Sequence, residues 1–152
     1  MNLQEEIKAL KERIVELEVL AKEEQKFPQK YDDYWYVADD TEVLRQSWYN
    51  SEYDEGRLSI DNIFKTKEQA EFVVEKLKVE AELRKFSRPF KEGENNNWFI
   101  LWNTYEKEVE IDWASVLVRQ GTIYFESGKK AQQAIDAVGK DRVKKYIFGM
   151  EE

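Results

Sequence analysis

Asn62-Ile63-Phe64-Lys65-Thr66-Lys67-Glu68-Gln69-Ala70, continuing to Leu77, decides how the chain is read, because a degraded copy follows 61 residues later. The copy is Ile123-Tyr124-Phe125-Glu126-Ser127-Gly128-Lys129-Lys130-Ala131, continuing to Val138. At that offset Phe64 falls on Phe125, Thr66 on Ser127, Ala70 on Ala131, Val74 on Ile135 and Leu77 on Val138. Each stretch reads as a strand ending in an aromatic residue, then a hydroxyl N-cap, then an amphipathic helix. Thr66 followed three residues later by Gln69 matches a capping box, in which hydroxyl and amide satisfy each other's backbone N–H groups.

Outward from these two corners the chain divides into similar halves. In residues 27–90, Tyr34-Trp35-Tyr36-Val37 reads as a strand, Ala38 to Thr41 as a turn and Glu42 to Trp48 as the return strand. Tyr49 to Asp61 reads as a polar loop and Ile63-Phe64-Lys65 as a short third strand, before a helix from Lys67 to about Phe86. In residues 91–152, Trp98 to Trp102 is apolar on both faces, as a covered strand should be. Val109, Ile111 and Trp113 alternate with acids, Ile123 to Phe125 supplies a third strand, and Ser127 caps a helix through Val138 that Gly139 closes. A last helical turn is expected from Asp141. Trp35 and Trp98 lie 63 residues apart and Trp48 and Trp113 lie 65 apart, which extends the repeat to the hairpins. The expected fold is therefore α+β: two ββ(β)α units with antiparallel strands and a helix on each. Whether the strands join into one sheet or form two lobes stays open.

Residues 1–26 precede these units as an amphipathic helix. Ile7, Ile14 and Ala21 take heptad position a while Leu3, Leu10 and Leu17 take d, the combination that favours a parallel two-stranded coiled coil. Glu6 would face Lys11, and Arg13 would face Glu18, across such a pair. A helix folded back on its own domain is the alternative, with Val15, Val19 and Leu20 to support it. The expectation is a homodimer through this helix. The helix from Lys67 carries two apolar stripes, Ala70, Val73, Val74, Leu77 and Ala81 on one side and Phe72, Val79, Leu83 and Phe86 on the other. A surface helix needs one. The second stripe would be covered by the second unit, the N-terminal helix or a twofold-related subunit, so its residues are candidates for an oligomer interface.

Composition narrows the function. The 152 residues contain 41% hydrophobic and 14% aromatic residues, enough for a core, and no cysteine or histidine. The first excludes disulfides and thiolate chemistry; the second removes the commonest general base and metal ligand. Soluble, unexported, cytoplasmic localisation is expected, since no apolar run approaches the length of a membrane span. A net charge of −8 argues against duplex DNA and anionic membranes. Acids are too plentiful for any pair to stand out: Asp39-Asp40 and Asp54-Glu55 lack calcium-loop spacing, and six unclustered glycines make no phosphate loop. The 24 bases interspersed with 32 acids weaken an acidic DNA mimic. No enzyme, metal or cofactor is expected. Most aromatics should be core, but Trp48, Tyr49 and Tyr53, at or in a loop, are candidates for stacking on a nucleotide or single strand. Arg57 and Asn62 flank that loop and would read a phosphate or a carbonyl, a loop-fastening hydrogen bond being the alternative.

The run from Tyr34 to Val37 through Ser47-Trp48, Arg57, Asn62 to Glu71 and Glu75 to Val79 to Ala81-Glu82-Leu83-Arg84-Lys85-Phe86 resembles small proteins encoded by phages and prophages of Gram-positive bacteria. Asn97 to Ile100 and the ending Tyr124 to Ser127 through Lys144-Lys145-Tyr146 fit the same pattern. Two positions depart from it: Asp61 and the Ala38 to Thr41 turn stand where glycine would be expected. The resemblance implies a phage setting inside an infected bacterium and carries over no catalytic residues. It favours a non-enzymatic binding protein acting on a host protein or complex, a counter-defence inhibitor for instance. A module for nucleotides or single strands and a virion assembly protein are the alternatives.

Overall fold

A helix that touches little and two hairpins that share one helix make up the molecule, a computed structural model that describes residues 2–24 and 26–151. Helix α1 (Leu3–Glu24) starts with a reciprocal cap: Asn2 Oδ1 accepts from the Glu5 amide at 2.9 Å and Glu5 Oε2 accepts from the Asn2 amide at 3.1 Å. At its other end the Gln29 side-chain amide donates to the carbonyls of Glu23 and Glu24, both at 2.8 Å, satisfying oxygens that a helix end leaves free. Not one residue of α1 is buried. The helix therefore does not fold back on its own domain.

The first unit is built on strands β1 (Asp33–Val37) and β2 (Val43–Ser47), paired antiparallel with Trp35 opposite Arg45. The segment Tyr49 to Asp61 is not a loop: it contains helix α2 (Glu52–Ser59). Its start is a second capping box, with Ser51 Oγ accepting from the Asp54 amide and Asp54 Oδ2 accepting from the Ser51 amide, both at 3.1 Å. Acidic Glu52, Asp54 and Glu55 in the first turn suit the positive end of the helix. Ile63 to Lys65 forms no full strand; Phe64 alone pairs with Trp35, each amide donating to the other's carbonyl at 2.8 Å. Helix α3 (Lys67–Arg84) then begins at the expected box, the Gln69 amide donating to Thr66 Oγ1 at 3.2 Å and the Thr66 amide donating to Gln69 Oε1 at 3.3 Å.

The second unit repeats the plan. Strands β3 (Asn97–Asn103) and β4 (Glu108–Ala114) pair antiparallel, and helix α4 (Gly128–Val138) is capped by Ser127 Oγ, which accepts from the Lys130 amide at 3.1 Å. A single turn of α5 (Lys140–Arg142) runs into a π-helical turn, Val143–Ile147. Ile123 to Phe125 again contributes isolated pairings, Tyr124 with Arg88 and Phe125 with Trp98. The Trp98–Phe125 bridge is the counterpart of Trp35–Phe64, so the internal repeat is also a repeat of backbone geometry. It corrects one correspondence. Trp98 lies opposite Trp113, and Trp35 lies opposite Arg45, so Trp113 matches Arg45 and not Trp48. The strands form two separate two-stranded sheets.

Helix α3 joins them. It packs on β1 and β2, with Ala70 and Val74 buried, and on α4 and the π-helical turn. Its second stripe is covered by the second unit: Val79 and Leu83 belong to one core with Val109, Phe125, Ile135, Val138 and Val143, and Phe86 packs against it. Phe72 stands against Tyr146 with ring centroids 5.1 Å apart. Val79 and Leu83, offered by the sequence as subunit-interface residues, are therefore consumed inside the chain. Leu77 is 52% exposed although its repeat partner Val138 is buried. Arg142 fastens the two units from outside by donating twice to the Glu82 carboxylate, at 2.7 and 3.3 Å.

The two places where glycine was expected both take left-handed backbone, Thr41 at φ 70° and Asp61 at φ 58°. For a β-branched side chain that region is strained. Thr41→Gly should therefore stabilise the protein by about 1 kcal/mol, the relief of strain exceeding the extra entropy of an unfolded glycine. A denaturant midpoint that moves down would contradict this.

Candidate binding surface

The residues singled out as a ligand site fall into two groups with different fates. Tyr34 on β1 is fully buried, and its hydroxyl donates to Asp54 Oδ1 at 2.5 Å while accepting from Arg57 Nη1 at 2.8 Å. Asp54 Oδ2 takes the amides of Tyr49 and Ser51 at 2.9 and 3.1 Å. The carboxylate thus closes α2 onto the hairpin with every polar atom engaged. The Arg57 guanidinium also lies over the Tyr36 ring, 3.7 Å from its centroid. Asn62 faces the end of β1, accepting from the Val37 amide and donating to the Val37 carbonyl, both at 2.8 Å. Trp48 is buried, edge-on to Tyr34 at 6.2 Å. Arg57, Asn62 and Trp48 thus make contacts within the fold, the loop-fastening alternative for the first two.

Burial pushes the Tyr34 hydroxyl up to about 12, and its bond to ionised Asp54 pushes the same way. The folded protein keeps this proton after an unfolded tyrosine, near 10.0, has lost it. Stability from this group is therefore full below pH 10 and is lost as pH rises toward 12. Stability measured across that range should fall less steeply in Tyr34→Phe than in the parent; equal slopes would contradict the assignment.

Tyr49 and Tyr53 remain at the surface, 58% and 76% exposed. Tyr49 meets exposed Tyr31 edge-on at 5.5 Å, and Lys30 Nζ lies 5.0 Å from the Tyr31 ring centroid. This small aromatic patch with its cation is what survives of the stacking surface. The expected interface residues of α1, namely Leu3, Ile7, Leu10, Ile14 and Leu17, are 46–75% exposed.

Another exposed apolar stretch of the body lies elsewhere. After β4 the chain runs through Val116-Leu117-Val118, which are 64–83% exposed, beside half-exposed Trp113. The run is tied down at its C-terminal end, where the Arg119 amide donates to the Tyr124 hydroxyl at 2.7 Å. Arg119 also places its guanidinium 4.3 Å from the Phe99 ring centroid, repeating the Arg57–Tyr36 contact of the first unit. These residues are absent from the sequence-derived candidates, although three successive aliphatics outside any periodic segment are a readable signal. An open groove of about 600 Å3 separates the units, lined by Glu42, Glu68, Glu71, Phe72, Lys145 and Tyr146 among others. Among the described residues no group of His, Cys, Asp or Glu could hold a metal ion, and no helix is long and apolar enough to cross a membrane.

No protein-family model matches the chain, and no curated protein or solved structure matches it either. The fold and surface therefore define the molecule by themselves: an α+β protein of two ββα units sharing one helix, with a free N-terminal helix.

Proposed function

We propose that the protein is a non-enzymatic binding protein acting on another protein, in the phage setting a host protein or complex, with inhibition of a defence component as the form this would take. What supports the reading is the apolar run Val116 to Val118 beside Trp113. It is a run of three successive exposed aliphatics that lies outside the core, and exposed apolar surface of this kind marks contact surfaces on small proteins. The anchoring by Arg119, through Tyr124 and Phe99, holds its C-terminal end in place before a partner arrives, which lowers the entropy lost on binding.

Capture from a Gram-positive host lysate tests it, comparing the parent with Leu117→Glu. The side chain is exposed, so the variant should keep its melting temperature within a few degrees and lose the partner. A partner retained equally by both would remove this surface from the proposal.

A second reading rests on Tyr31, Tyr49, Tyr53 and Lys30, which would stack a base and neutralise a phosphate. Trp48 packs in the same region, so its fluorescence reports the patch. Saturable quenching by nucleotides or a labelled single strand, lost in Tyr49→Ala with Tyr53→Ala, would favour it. No quenching at any concentration would dismiss it.

A further inference from the structure

We infer that α1 pairs with α1 of a second copy of this chain in a parallel, in-register, two-stranded coiled coil, so that both bodies project from the same end of the rod. The first observation is what the helix lacks. Twenty-two residues long, it has no buried residue, while Leu3, Ile7, Leu10, Ile14 and Leu17 form an unbroken exposed seam. Most of a helix's stability in a protein comes from packing its apolar face rather than from propensity, and the rest of the chain buries none of this one, so a partner must supply the surface.

The second observation identifies that partner. The seam alternates β-branched residues at a with leucine at d, which packs best against itself in a two-stranded parallel pair. The flanking charges fix the direction. In the parallel pair Glu6 of each helix meets Lys11 of the other and Arg13 meets Glu18, so both kinds of charged flanking contact attract. Running antiparallel with the same apolar layers, Lys11 would face its own copy and Arg13 would face its own copy. Both like-charge contacts oppose that arrangement. In the single chain Arg13 turns instead to Glu16 at 2.9 Å, an exposed pair that is readily exchanged. The apolar layers supply the attraction, and the charges select the register.

The consequence is a bivalent molecule. A helix of this length gives a rod of roughly 33 Å, and a parallel pair sets two copies of the body side by side at its C-terminal end.

Sedimentation of the full chain over a concentration series should show a species of twice the 18.2 kDa chain mass. Ile14→Lys, at an exposed position, should leave only the monomer, with the melt of the body followed by tryptophan fluorescence unchanged because α1 carries no tryptophan. Glu6→Lys should raise the dissociation constant about tenfold by replacing two attractions with two repulsions, and adding Lys11→Glu should restore it. Direction has its own readout because the chain has no cysteine. Leu17→Cys should cross-link to itself on mild oxidation in the parallel pair, whereas antiparallel packing holds the two sulfurs roughly 15 Å apart. A monomer throughout the series overturns the inference, as does a dimer that survives Ile14→Lys. A dimer without the Leu17→Cys cross-link overturns its direction. Each outcome is independent of whether Leu117→Glu loses a partner.

Discussion

Leu83→Ala should lower the unfolding free energy by about 2–5 kcal/mol, the range for removing a buried leucine from a packed core. Leu83 is 2% exposed and touches the cluster of Val79, Phe125, Ile135 and Val143. Six residues earlier on the same helix, Leu77 is half exposed, and Leu77→Ala should cost a few tenths of that. The contrast separates loss of packing from loss of helix propensity, which the two substitutions share. More informative is what unfolds. Because α3 also carries Ala70 and Val74 under the first hairpin, damage at Leu83 should reach Trp48 as well as Trp98. Denaturation followed by fluorescence and by far-ultraviolet circular dichroism should give one coincident transition, shifted as a whole. Two transitions, with the first unit unmoved, would show that the halves fold separately.

Asp54→Ala should be as damaging, about 3–5 kcal/mol, for a different reason. Three donors depend on this carboxylate: the Tyr34 hydroxyl and the amides of Tyr49 and Ser51. Alanine leaves the buried phenol with Arg57 alone and uncaps α2, so the cost is that of orphaned polar groups more than of lost attraction. Burial, the largest single influence on Asp54, raises its pKa, but together the donated hydrogen bonds outweigh it and hold the carboxyl below its ordinary 3.8. A lowered carboxyl contributes stability that is complete above the ordinary value and is lost as pH falls through the lowered one. The parent should therefore weaken below about pH 4 more steeply than Asp54→Asn, measured as denaturant midpoint against pH. Identical acid profiles would assign the loss to other carboxylates.

How far these residues could be read beforehand depends on whether their role is local. The Thr66 and Ser127 caps, both hairpins and the two-sided character of α3 follow from neighbours in the chain, and they appear where the spacing places them. Helix α2 was hidden by a polar composition with Gly56 in its middle, yet its Ser51 and Asp54 box is as local as the one at Thr66. What covers the second stripe of α3 is not local, since Val79 and Leu83 look the same whether a second unit or a second subunit lies on them. The burial of Trp48 depends on α2 closing over the hairpin, a contact that no spacing announces. Arg57 and Arg119 are separated by 62 residues, close to the repeat offset. Their shared stacking becomes visible only once Tyr36 and Phe99 are seen as equivalent strand positions. The exposure of Val116 to Val118 has the same character, for an aliphatic run declares its burial only through the surfaces that meet it.

The shared helix also sets the order of events during synthesis. When residues through Arg84 have left the ribosome, the first hairpin has all of α3 available, yet Val79 and Leu83 have nothing to cover them until Phe125, Ile135 and Val143 have been made. For roughly the time needed to translate 60 residues, several seconds at ordinary rates of synthesis, the nascent chain displays an apolar half-helix to its surroundings. The half-helix of the first unit waits for the second unit, and chaperone contact there would be the cellular trace of a core that α3 and the second unit build together.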